Sequence, residues 1–257
     1  MNKLCIVAMA ALASSQLWAV HGTIRTTADT KEGEIKWVGR AKKYVITTKT
    51  KGGTSVDMEF PLADVVSLDI AKPAGYDKAV EAVQRGQGAA AINPLTKIVN
   101  EYKMLEWDRP AGRYLAEAYL SAGDPQKAYD MAQSIISDDK TAAYKGDLAP
   151  AYWQALLKLG KTTQLNNCLS KAATSGDRAS SAAAVVMRGD MILAEGGDSE
   201  EAYRQALRDG YLRVALMYAD EECREARAAA LAKAAKCFDK LSMASRAEAF
   251  RAEARKL

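Results

Sequence analysis

The sequence predicts an α+β chain, mainly α: a small N-terminal β-barrel-like domain followed by an α-solenoid of about five helical hairpins. Three observations predict it. Residues 22–71 are rich in Thr, Val, Ile and Gly and alternate with period two, the mark of short half-buried strands. At Lys72-Pro73-Ala74-Gly75 the period changes to 3.6, and proline with glycine punctuates the change. Beyond it, Gly123, Gly160 and Gly197 recur every 37 residues, which is how stacked repeats show themselves. The organisation expected is a leader over residues 1–19, a β domain over 20–72 and a helical-repeat domain over 73–257.

The first 19 residues read as a secretory signal peptide. Lys3 is the positive start, Leu4 to Ala13 the apolar run, and Leu17-Trp18-Ala19 a cleavage site ending in alanine. The run is too short to span a bilayer, and no other segment of the mature chain is a transmembrane candidate. Export to a periplasm or the cell exterior is therefore expected. Five strands follow, over Gly22–Thr27, Glu34–Val38, Tyr44–Thr50, Ser55–Phe60 and Val65–Ala71. Lys51-Gly52-Gly53 supplies a hairpin turn, and Pro61 stops the fourth strand because it cannot donate to a ladder. Five short strands in so few residues resemble the SH3-like or Sm-like barrels, a likeness of topology that implies no function.

The helical part opens with Asp77–Arg85 and with a helix started by Asn93-Pro94 that ends near Trp107, together an atypical cap. The clearest stretch is Arg113 to Ile136. Leu115, Ala116, Tyr119 and Leu120 form one apolar stripe, and Gly123 ends the helix. Asp124 caps the next helix, Pro125 sits at its first position, and Ala128, Tyr129, Ala132 and Ile135 form the second stripe. From Leu115 to Ala128 the chain resembles the tetratricopeptide repeat (TPR), with its LAxxYLxxGDxxxA pattern. Around Gly160, Leu156 and Leu165 take the places of Tyr119 and Ala128; Trp153 replaces the small residue Ala116, which implies looser packing there. Around Gly197, Gly189, Ile192 and Ala202 are in register, and Asp198 with Glu201 reads as a capping box. A weaker copy contains Phe238 and Ala247. Helices are expected near 147–159, 162–174, 179–195, 199–208, 211–219, 221–241 and 244–256.

Composition narrows the function. The net charge is +4, and neither part carries the strongly basic footprint that nucleic acid demands. The basic cluster Arg40, Lys42, Lys43, Lys49 and Lys51 reads as a solvated hairpin surface. His21 is the only histidine, so no histidine-assisted nucleophile and no zinc set can be assembled on a rigid scaffold. Cys168, Cys223 and Cys237 read as small core residues. Arg188-Gly189-Asp190 falls inside a helix, at a slot for a small side chain. No catalytic residue, cofactor or metal site is expected.

The TPR resemblance implies a non-enzymatic scaffold whose first helices line a groove for another protein, here a partner in an envelope or secretion-related assembly. The positions that would face it are Arg113, Glu117 and Leu120, then Gln154 and Lys158, then Val186, Asp190 and Leu193, and last Lys233 and Lys236. That set has a basic tilt toward its C-terminal end. The family's clamp for a C-terminal carboxylate uses lysines and asparagines that these positions lack. The alternative is a cell-wall or polysaccharide binder working through Trp37, Tyr44 and the basic cluster of the β domain.

Overall fold

The computed structural model describes residues 19–50 and 52–257; the leader expected over 1–19 falls almost wholly outside them, as does Lys51. The chain divides into two units at Ala71–Lys72.

In the first unit, β1 (Val20–Thr26), β2 (Thr30–Val38), β3 (Lys43–Lys49), β4 (Ser55–Pro61) and β5 (Val65–Ile70) form one antiparallel sheet in the order β4-β3-β2-β1-β5. The sheet does not close into a barrel: β4 and β5 are its edges. Its curvature follows from chain reach. Only Leu62–Asp64 joins β4 to β5, a span of about 14 Å at most. Edges of a flat five-stranded sheet would stand about 19 Å apart. The sheet must therefore coil. Period two puts Ile24, Ile35, Trp37 and Ile70 into the core, and Trp37 packs on its register partner Tyr44 with ring centroids 4.9 Å apart. Trp37 and Tyr44 are 6% and 4% exposed. They pack inside the sheet and offer no ring to a polysaccharide, which removes the aromatic part of the contact on which that alternative rested.

The second unit is helical throughout. Its elements are α1 (Tyr76–Gln84), α2 (Gly88–Glu101), α3 (Asp108–Ser121), α4 (Pro125–Asp138), α5 (Leu148–Lys158), α6 (Thr162–Ala173), α7 (Arg178–Gly196), α8 (Glu200–Ala206), α9 (Leu212–Met217), α10 (Arg224–Lys240) and α11 (Ala244–Ala254). They pair as five hairpins, α1/α2, α3/α4, α5/α6, α7/α8 and α10/α11, and α3, α5 and α7 pack in succession. The turns after α3, α5 and α7 place Gly123, Gly160 and Gly197 at φ of 78°, 65° and 61°, the left-handed region that disfavours a Cβ. After α10 the same role falls to Ser242 at φ 58°, which is why the glycine spacing does not extend to the last hairpin.

Ala116, Ala128, Ala151 and Ala155 meet in one cluster, so adjacent hairpins approach at the distance a methyl group allows. Trp153 does not loosen this packing. It is fully buried, and its indole N–H donates to the Ala143 carbonyl at 2.8 Å. The 3₁₀ turn Lys140–Ala143 fills the space beside it.

Three helix expectations change. Ser199, and not Asp198, caps α8: its hydroxyl accepts from Ala202 N at 3.2 Å, while Asp198 accepts from Tyr203 and Lys240. α2 begins at Gly88, six residues before Pro94, which lies inside it. The alanines at 89–91 are strong helix formers and carry the first turn across the one hydrogen bond that proline removes. The two helices expected near 199–208 and 211–219 are joined by a π-turn, Leu207–Tyr211. The turn brings Tyr211 beneath α7, where a Cβ on Gly189 would stand 2.5 Å from its ring and one on Gly210 would stand 2.7 Å from the Gly189 Cα.

Candidate functional site

α3, α5, α7 and α10 are the first helices of successive hairpins, and with the end of α1, at Val83 and Gln84, they line a groove of about 680 Å³. Each helix reaches it by its own register. α3 contributes Arg113, Glu117 and Leu120 from one face, spaced by four and three residues. α5 and α7 contribute Ala151, Gln154, Val186, Met187 and Asp190 among others. α10 contributes Glu225, Ala226, Ala229 and Lys233.

Ion pairs cross between these walls. The Arg113 guanidinium donates to Glu117 Oε1 at 3.0 Å and to Glu225 Oε2 at 2.9 Å, the latter 112 residues away in sequence. Burial works against its charge, but the carboxylates of Glu225 and Glu117 hold it well above the ordinary arginine range. Lys233 Nζ donates to both oxygens of Asp190 at 2.6 Å. The Tyr211 hydroxyl donates to the same carboxylate at 2.8 Å. Burial beside Asp190 pushes that phenol far up, so it stays a donor.

Four of the six residues expected at the groove, Arg113, Glu117, Gln154 and Asp190, line it, as do Leu120, Val186 and Lys233. Lys158, the last residue of α5, and Lys236 on α10 are exposed and lie outside the lining, and so does Leu193. The expected basic tilt is reversed. Asp147, Asp177, Glu222 and Glu225 enter the lining from the starts of α5, α7 and α10. Acidic residues there cap helices and suit the dipole, and nothing in a single sequence distinguishes a capping acid from one that also faces a groove. The signal that could have found them is repetition: parallel first helices bring their N-terminal ends to one rim.

Asp177 shows both roles, since it accepts from Ser180 N at 2.7 Å while lining the groove. That backbone hydrogen bond holds its carboxyl below the ordinary value. Asp220, Glu222 and Cys223 bring donor atoms within 4.8 Å of one another. Arg178 already engages both carboxylates there, at 2.8 Å to Asp220 and 3.7 Å to Glu222, and the thiol is buried. The trio lies just before α10, and its two carboxylates are held by that guanidinium. Burial also pushes the Cys168 and Cys237 thiols up, Cys237 to about 11, which suits core residues and not nucleophiles.

No protein-family model and no curated protein matches the chain. Two solved structures resemble it. Both are nearly identical TPR-like repeats named for a kinesin light chain of Podosopora anserina, one of them a single-residue variant. They are 16% and 15% identical to it, cover 71% of this chain and 92% of their own, and superpose with a TM-score of 0.41. A likeness that shallow carries no inference, and the repeat architecture rests on the hairpins themselves. Among the described residues, no helix is long and apolar enough to cross a membrane.

Proposed function

We propose that this chain is a non-enzymatic scaffold whose helical unit, of TPR type, holds a segment of another protein in the groove between α3, α5, α7 and α10. The observation that carries the reading is the groove itself. Four first helices, drawn from four successive hairpins, leave a channel with an apolar floor that includes Leu120, Ala151 and Met187 and with polar walls that include Glu117, Gln154 and Asp190. That is the composition of a site that seats a peptide or helix, in which buried side chains anchor and polar groups orient. The pattern of residues 1–19 supports export and an envelope or secretion-related assembly. The coiled β unit, with its three-residue β4–β5 connection, is of SH3-like or Sm-like type on this reading.

A steric block tests the groove without presuming its charge. Ala229 is half-buried, lines the groove and belongs to none of the three helical core clusters described, so Ala229→Trp should fill the channel and leave the melting temperature within a degree or two of the parent. Affinity capture from an extract of the source cell, with residues 20–257 as bait, should lose its specific partner in this variant. Capture that survives the indole would remove the groove from the account.

A further inference from the structure

The sign of the groove opposes the sign of the chain. The whole sequence carries +4, yet the lining holds six carboxylates, Glu117, Asp147, Asp177, Asp190, Glu222 and Glu225, against two cations, Arg113 and Lys233. Both cations are already engaged, Arg113 by Glu117 and Glu225 and Lys233 by Asp190. At the rim, Lys145 reaches Asp177 at 3.9 Å, and Arg178 is shared between Glu222 and Asp220. The starts of α5, α7 and α10 add about half a positive charge each. With all of these counted, the balance in and around the groove stays negative.

We propose that the segment the groove accepts is cationic: a stretch of a protein partner that carries lysine or arginine, interleaved with apolar side chains. The inference rests on the groove reading above and names the chemistry of its occupant. The carboxylates at the helix starts would take the partner's charges, and Leu120, Ala151, Val186, Met187, Ala226 and Ala229 would take its apolar side chains. A low-dielectric cleft of one sign focuses its field and concentrates ligands of the other. An acidic segment would meet Glu117, Asp147 and Glu222 with no unengaged groove cation to receive it, and like charges so placed are strongly disfavoured. Arg113 then acts as an internal competitor, since its guanidinium occupies two of the carboxylates that a partner's side chain would use.

Selection from a random twelve-residue peptide library, run in parallel on the parent chain and on Ala229→Trp, tests this and separates it from the groove reading. Peptides kept by the parent and lost by the blocked variant should be several-fold enriched in lysine and arginine over aspartate and glutamate. Against one such peptide, Glu117→Gln with Glu222→Gln should weaken binding about tenfold at low salt, as expected for two partly exposed charge contacts. Arg113→Gln should strengthen it, and both differences should shrink in high salt. Groove-dependent peptides that are neutral or acidic, or affinities that ignore these charges, would overturn the cationic assignment while the groove stood. Peptides equally retained by Ala229→Trp would overturn both. Should Glu117→Gln with Glu222→Gln fail to fold, Arg113→Gln reads the same charge with the opposite sign.

Discussion

Two junctions within the helical unit solve one packing problem by different means. Between α3/α4 and α5, close approach is made by alanines, with Ala116, Ala128, Ala151 and Ala155 meeting methyl to methyl. Between α7 and the helix that follows, it is made by two glycines, Gly189 and Gly210, under the ring of Tyr211, with Asp190 and Lys233 completing a polar cluster above it. The first solution needs only small side chains at helical spacing. The second is made once, by a π-turn that a periodic pattern cannot contain. A repeat array can thus be regular where its neighbours are alike and particular where it changes.

That contrast is open to attack at several strengths. The largest effect is expected at Gly210, where an added methyl would stand 2.7 Å from backbone and not from a movable side chain. Gly210→Ala should cost about 3 kcal/mol, the upper end for overpacking, measured by urea unfolding. Ala128→Leu should cost about 1–3 kcal/mol by the same mechanism at the other junction; an unchanged melting temperature would mean the alanines are not in contact. Tyr211→Phe keeps the ring and removes one hydrogen bond to Asp190, which retains Lys233, so about 1 kcal/mol is expected. Equal losses for Tyr211→Phe and Tyr211→Leu would mean the hydroxyl, and not the shape of the ring, holds the π-turn.

The smallest effect is pH-dependent. Asp177 caps α7 and its folded carboxyl is held below the ordinary 3.8, so its stabilisation is present above that value and fades as pH falls through the depressed one. Asp177→Ala should cost about 1 kcal/mol at neutral pH, with the gap to the parent closing in acid. A gap that widened on acidification would reverse the assignment.

Much of this was legible in residues and some was not. The hairpin turn at Gly123-Asp124-Pro125 could be read because each residue there has one dominant conformational reason. The strands could be read from period two, although β2 begins at Thr30 and not at Glu34, because half-buried Lys31 and side-chain-free Gly33 occupy the inner face there and hide the alternation. The groove was half legible. Arg113, Glu117, Gln154 and Asp190 follow from helix register, whereas Asp147, Glu222 and Glu225 look like ordinary helix-start acids until the packing of α5, α7 and α10 collects them on one rim. Asp108 shows the same limit: it is 3% exposed and accepts from Met104 N at 2.9 Å, closing a loop in which Met104 and Glu106 take positive φ. No local pattern announces a buried carboxylate.

The central claim is that the first helices, and not the second, receive a partner. Hydrogen exchange on the free chain and on its captured complex tests it most directly. Slowed exchange over 113–121, 147–154, 178–190 and 224–233, with α4, α6 and α11 unchanged, is the result the account predicts. Protection confined to α4, α6 and α11, or to the sheet, would contradict it.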